Sequence, residues 1–199
     1  MRTNHNKPRL LIAVFILVSV ALSACGFRLR GATAVPDALN PVFVDCAGNT
    51  PIALCEQVRE LLELNEVTVV ETAREPSYTL RLTGLETSRR ATAITDSAAA
   101  AEYDLRLQTR MSLFTPTEIP LLAQATISAN EIYRYDEDNV LAKRREQRDL
   151  TEQLYSRLAQ QIVFRLTPYT AERIQALIAE YEAAQADSGE AEVQAPDAP

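Results

Sequence analysis

Residues 103 to 113 read Tyr103-Asp-Leu-Arg-Leu-Gln-Thr-Arg-Met-Ser-Leu113. Tyr103, Leu105, Leu107, Met111 and Leu113 alternate with Asp104, Arg106, Gln108, Arg110 and Ser112. A period of two sends one set to each face of a pleated strand, so the stretch predicts a half-buried antiparallel strand with an apolar inner face. Upstream, Tyr78, Leu80 and Leu82 alternate in the same way with Thr79, Arg81 and Thr83. The polar, Ala-rich segment between them, Arg89 to Ala101, is expected to be the tip of the hairpin. Downstream, Pro116 and Pro120 punctuate a turn, and Ala125 to Tyr135 is expected to return as another strand.

Helices flank these strands. Pro41-Val-Phe-Val-Asp-Cys46 reads as a short strand, and Gly48-Asn-Thr-Pro51 marks a turn into a helix with Thr50 as N-cap and Pro51 at its first position. Leu54, Val58, Leu61 and Leu62 form the apolar face of that helix, and Val67 to Val70 follows as a strand. Beyond Tyr135 the period changes. Leu150, Leu154, Leu158, Ile162 and Leu166 recur every fourth residue, joined by Tyr155 and Val163, and Pro168 ends the run. Asp136, Glu137 and Asp138 suit the positive end of this helix, with Asp138 or Asn139 as cap. A calcium loop there would need the glycine and terminal glutamate of an EF-hand, which are missing. The order implies an α+β two-layer sandwich, in which a mixed, mostly antiparallel sheet of about four strands is covered by two helices.

This domain is expected to span residues 25–170. A helical extension at 171–186 carries Ile174, Leu177, Ile178 and Tyr181 on one side, and either docks on a partner or trails from the domain. Residues 187–199, acidic and rich in Ala and Pro, have the composition of a disordered tail.

The first 24 residues have the composition of an export signal. Arg2, Lys7 and Arg9 precede an apolar run of 15 residues from Leu10 to Ala24, shorter than the ~20 needed to span a bilayer. Leu22-Ser23-Ala24-Cys25 resembles the lipobox of bacterial lipoproteins, in which the cysteine is acylated and becomes the mature N-terminus. Cleavage after Ser23 or Ala24 as an ordinary signal is the competing possibility. Acyl chains on Cys25 would hold the protein on a membrane without a spanning helix, each buried CH2 contributing about 0.8 kcal/mol. Gly26, standing where an aspartate would favour inner-membrane retention, points to the outer membrane.

Cleavage before Cys25 leaves 17 basic and 27 acidic residues, a net charge of −10. Such an acidic chain lacks the basic footprint of a nucleic-acid binder. His5, the only histidine, leaves with the signal, which removes Ser-His-Asp and Cys-His catalysis and histidine metal sites. No catalytic residue, metal site or cofactor is expected. Cys46 and Cys55 remain, either as a disulfide stapling strand to helix in an oxidising compartment or as two buried thiols. Lys143, Arg144, Arg145 and Arg148 make the densest basic cluster. With Arg89 and Arg90 near the hairpin, they either contact phosphates or an acidic partner, or form a solvated helix face in which Arg148 pairs with Glu152 one turn on. Arg81, Arg106 and Arg110 point outward among neutral polar groups. They suit either a polar binding surface or a solvated sheet face with cross-strand pairs.

Three segments carry a resemblance. Cys25-Gly-Phe-Arg-Leu-Arg-Gly31, Ala101-Glu-Tyr-Asp-Leu105 ahead of the alternating strand, and Asp138-Asn-Val-Leu-Ala-Lys143 followed by Glu146-Gln147 closely resemble the lipopolysaccharide-assembly lipoprotein family LptE. The resemblance implies a non-catalytic, lipid-anchored protein on the periplasmic face of the outer membrane. There it would plug the β-barrel LptD, help that barrel assemble and assist delivery of lipopolysaccharide to the cell surface. Among the basic residues, Lys143 alone falls within the family-like Asp138 to Lys143 motif. Thr95-Asp96-Ser97 followed by Ala98 to Ala101 departs from the polar, Gly-containing basic tip of relatives, which weakens a phosphate-holding role for the tip itself. The alternative from another class is a periplasmic lipid-binding lipoprotein accessory to an ABC-type transport system.

Overall fold

A computed structural model describes residues 35–72, 76–94, 100–134 and 140–193, without the side chains of 100, 140–144 and 187–193. The chain divides into two compact units, Met1–Ala32 and Thr33–Pro199, and all described residues lie in the second. The export segment and Cys25 are outside them.

After a short 3-10 turn at Asp37–Leu39 come β1 (Val42–Ala47), α1 (Ile52–Leu64), β2 (Val69–Val70), β3 (Tyr78–Ile94), β4 (Ala100–Phe114), β5 (Pro120–Arg134), α2 (Val140–Phe164) and α3 (Ala171–Val193). The sheet order is β2-β1-β3-β4-β5. β1 runs parallel to β2 and β3, while β3, β4 and β5 form an antiparallel meander. The class is α+β, and the sheet is mixed. It has five strands rather than about four, because Val69 and Val70 pair with Val42 and Phe43 and form the short second edge.

The inner face is built as the alternation requires. Val42 and Val44 of β1, Leu80 and Leu82 of β3, Leu105, Leu107, Met111 and Leu113 of β4, and Ile127 of β5 are buried in one core with Leu54, Val58 and Leu62 of α1 and Leu154, Leu158 and Ile162 of α2. Each such aliphatic side chain contributes roughly 1.5–3 kcal/mol on leaving water. The Sγ atoms of Cys46 and Cys55 are bonded, with their Cα atoms 6.4 Å apart, and so tie the end of β1 to the first turn of α1.

The start of α1 differs from the expected cap. Pro51, not Thr50, is the N-cap, and no side chain caps the helix. The Thr50 hydroxyl turns back and donates to the Ala47 carbonyl at 2.8 Å, closing the turn behind β1 instead of capping the helix ahead.

A bulge in β3 changes what the strand presents. Between Thr83, opposite Arg110, and Glu86, opposite Gln108, β3 carries one residue more than β4. Gly84 takes φ +70 there, a conformation that glycine adopts without a Cβ clash. The extra residue reverses the facing of the strand from Glu86 to Ala91, where the register shifts again. Leu80 and Leu82 face the core before the bulge, whereas after it Thr87 and Arg89 lie opposite Leu107 and Leu105 on that same face.

The expected hairpin tip at Arg89 to Ala101 is a correction. β3 continues as strand through Ile94, with further register shifts after Ala91, and β4 starts at Ala100, so Arg89 and Arg90 are ladder residues. Residues 86–92 are all exposed, because this part of the strand runs past the core and has no buried face to impose alternation. Thr95 to Ala99 are outside the described residues.

The third helix docks at its beginning and extends at its end. Ile174 is buried, and Leu177 and Ile178 pack on the core, but residues 182–186 are exposed. The helix continues to Val193, beyond the expected end at Ala186 and into the segment expected to be disordered from Asp187. Alanine and glutamate favour helix, and no proline intervenes before Pro196. Residues 194–199 are outside the described residues. Among the described residues no helix is long and apolar enough to cross a membrane.

Candidate interaction surface

The hairpin end of the sheet brings several of the selected residues to one place. Glu102 of β4 lies opposite Arg134, the last residue of β5, and α2 begins at Val140 shortly afterwards. Chain connectivity therefore puts the end of the β3–β4 hairpin, the end of β5 and the first turns of α2 at the same end of the molecule. Lys143 and Arg144 lie on the first turns of α2, and their side chains are outside the described residues. Arg145 and Arg148 are exposed one turn on. The anticipated Arg148–Glu152 pair is not among the ion pairs of the described residues, so that version of the solvated face is corrected.

Arg89 and Arg90 do not act as a pair. The bulge puts Arg89 on the helix-side face, where its guanidinium lies 4.4 Å from the centre of the Tyr103 ring. Tyr103 in turn approaches Tyr133, with ring centres 6.0 Å apart and planes tilted by 30°. Tyr133 is buried, and its hydroxyl has no hydrogen-bond partner among the described residues. Arg90 lies on the opposite face, across from Asp104. The structure thus groups Arg89 with the side of the sheet that α2 covers and leaves Arg90 out. Tyr133 was not singled out from the sequence. Its only signal was its place in the odd-numbered set Ile127, Ala129 and Tyr133.

The uncovered face is a mixed-charge ladder. Arg81 bonds Asp45 at 2.7 Å while lying over the Phe114 ring at 5.1 Å. Farther along, Gln108 donates to Glu86 at 2.7 Å, Arg110 approaches the same carboxylate at 3.6 Å, and Asn130 donates to Asp104 at 2.8 Å. Arg134 stands 3.7 Å from Glu102. Exposed pairs of this kind contribute only about 0–1 kcal/mol each to stability. Two of the three outward arginines are committed to carboxylates across the strands. Arg106 is exposed and has no ion pair among the described residues.

Small clefts open on this face. One, of about 40 Å³, lies at the bulge between Gly84, Glu86, Thr109 and Arg110. Another, of about 110 Å³, lies between Thr79, Arg81, Phe114 and Glu118. On the helix side, Arg157 of α2 bonds the Glu131 carboxylate and also donates to the backbone carbonyl of Asn130 at 3.3 Å, fastening the helix to β5.

A family model described as LptE, lipopolysaccharide-assembly, matches residues 39–166, from the turn before β1 to the end of α2. The chain belongs to the LptE family. It is similar to the LPS-assembly lipoprotein LptE of Yersinia pestis strain Pestoides F, with 32% identity over 174 residues that cover 84% of this chain and 79% of the relative. The LptE of Yersinia pseudotuberculosis serotype O:1b gives the same figures. The fold is also that of solved lipoproteins. The crystal structure of rare lipoprotein B from Shewanella oneidensis superposes with TM-score 0.56 at 23% identity, covering 65% of this chain and 95% of that one. The solution structure of lipoprotein B from Nitrosomonas europaea gives TM-score 0.59 at 18% identity, covering 72% and 92%. The LptE match contains two of the three motifs, Ala101–Leu105 and Asp138–Lys143, and it begins after Cys25.

Proposed function

We propose that this LptE-family chain is a non-catalytic, lipid-anchored partner of the LptD β-barrel at the periplasmic face of the outer membrane, where it plugs the barrel, assists its assembly and helps deliver lipopolysaccharide to the cell surface. Acylation of Cys25 supplies the anchor. The observation that carries the reading is the long β3–β4–β5 extension, whose uncovered face is polar and of both charge signs. A barrel lumen is polar, and a domain that fills it must present polar groups of both signs rather than an apolar patch. Family membership and the names of the relatives support the same role. The lipid contacts are assigned to Lys143, Arg144 and Arg148 on α2 with Arg89 at the same end of the molecule, and Arg90 faces the barrel side. The ABC-accessory alternative gains nothing from the clefts described, which are far smaller than the ~300–1,000 Å³ of a typical ligand pocket.

Depletion of the chain in its own bacterium tests the proposal. It should lower the amount of folded LptD in the outer membrane and of lipopolysaccharide at the cell surface. Undiminished levels of both would contradict it.

A further inference from the structure

The two edges of the sheet differ. One is β2, only two residues long. The other is β5, with 15 residues, and from Ala125 to Arg134 its register with β4 is unbroken. Soluble proteins protect sheet edges by keeping them short, by charging them, by placing proline in them or by bulging them, since an open edge is a template for another strand. β2 is protected by its length. β5 has such protection only at its ends, in Pro120 and the register shifts before Ala125 and in Glu131 and Arg134: from Ala125 to Asn130 it has neither a charge, a proline nor a bulge, and no strand among the described residues pairs with its outer side.

The direction of its free groups can be read from one contact. Arg157 reaches the Asn130 carbonyl from outside the ladder. Backbone groups alternate in direction along an antiparallel strand, so the N–H and C=O groups of Thr126, Ser128 and Ile132 also point off the edge. These three residues have exposed side chains, and among the described residues no hydrogen bond fills their outward backbone groups.

We infer that the β5 edge is a strand-addition site, which pairs backbone to backbone with an extended, uncharged segment of the barrel partner. The occupant follows from the edge. Thr126, Ser128 and Asn130 offer small neutral side chains, and Arg157 beside Asn130 is already paired with Glu131, so a charge in the added strand would find no free counter-ion there. The edge also borders the uncovered face of the β3–β4–β5 extension, already assigned to the partner. Strand addition draws affinity from main-chain hydrogen bonds and specificity from alternate side chains. The inference rests on the proposed function, and it names where and how the partner is held.

Proline substitution tests it at the level of single N–H groups. Proline is tolerated on an edge strand where its missing N–H faces away from the ladder. Ser128→Pro in the full chain therefore removes one outward donor and leaves the β4 pairing intact, and Ser128→Ala is the control that keeps the donor. Tagged full-length chains are recovered from detergent-solubilised outer membranes, LptD is quantified, and thermal unfolding confirms the fold of each variant. The expected result is that wild type and Ser128→Ala retain LptD, while folded Ser128→Pro retains at least tenfold less. Equal retention by Ser128→Pro would overturn strand addition and leave the partner reading standing. If Ser128→Pro fails to fold, Thr126→Pro and Ile132→Pro, which remove the neighbouring outward donors, replace it with the same criterion. No LptD with the wild-type chain would overturn both.

Discussion

The Thr109 hydroxyl donates to the Gly84 carbonyl oxygen at 2.6 Å, locking the β3 bulge against β4. Thr109 is buried between Leu107 and Met111 on the inner row, and this bond occupies its hydroxyl. The bulge decides which arginine faces the helices and which faces the open side of the sheet. Replacing Gly84 by Ala puts a Cβ 3.0 Å from Asn49 Oδ1 in a backbone conformation that L residues resist. Gly84→Ala should cost about 1–2 kcal/mol in urea unfolding, the usual penalty for a left-handed non-glycine residue. Thr109→Val should cost about 1 kcal/mol through the lost hydrogen bond.

The Cys46–Cys55 bridge closes a short loop, with a sequence separation of 9. Loop-closure entropy for such a span corresponds to roughly 2–3 kcal/mol. Cys46→Ser with Cys55→Ser should lower the unfolding free energy by about that amount, and dithiothreitol should reproduce the loss in the parent but not in the double variant.

Tyr155 and Tyr169 are half-buried against the core, and burial pushes both phenols above their ordinary value of 10.0; for Tyr169, the Arg173 and Arg165 guanidiniums offset part of the shift. Because the folded state holds these protons more tightly, their stabilisation is fully present below pH 10.0 and is lost as pH rises through the raised folded values. Urea unfolding followed from pH 9 upward to about pH 11.5 should show falling stability, with a shallower fall in Tyr155→Phe.

The two faces of the hairpin make separable predictions for lipopolysaccharide. Charge-assisted contacts to phosphate are each worth about 1.5–3 kcal/mol, or roughly tenfold or more in affinity. Lys143→Glu should therefore weaken binding of purified lipopolysaccharide to the full chain by about tenfold in a titration. Arg90→Glu, on the other side of the sheet, should leave it within about twofold.

Most of the fold was legible because it is written in burial. The β4 alternation and the four-residue spacing of Leu150 to Leu166 both report a buried face, and both segments formed as read. The extension of β3 through Ile94 was not legible, since a strand exposed on both faces has no period. The division of Arg89 from Arg90 was hidden for a different reason. One inserted residue at Gly84 reverses the facing of the strand as far as Ala91, and a lone glycine gives little warning of that. Likewise the short β2 owes its strand state to Val42 and Phe43 across the ladder. Among site residues, the cluster on α2 could be found by charge, whereas the Arg89–Tyr103–Tyr133 stack depends on strand register.

The central claim is that this chain works as a partner of the LptD barrel. Crosslinking the native protein in outer-membrane fractions and identifying its adducts by mass spectrometry tests that claim most directly. LptD as the main adduct is the predicted result. Absence of LptD, with an inner-membrane transporter component recovered in its place, would contradict it.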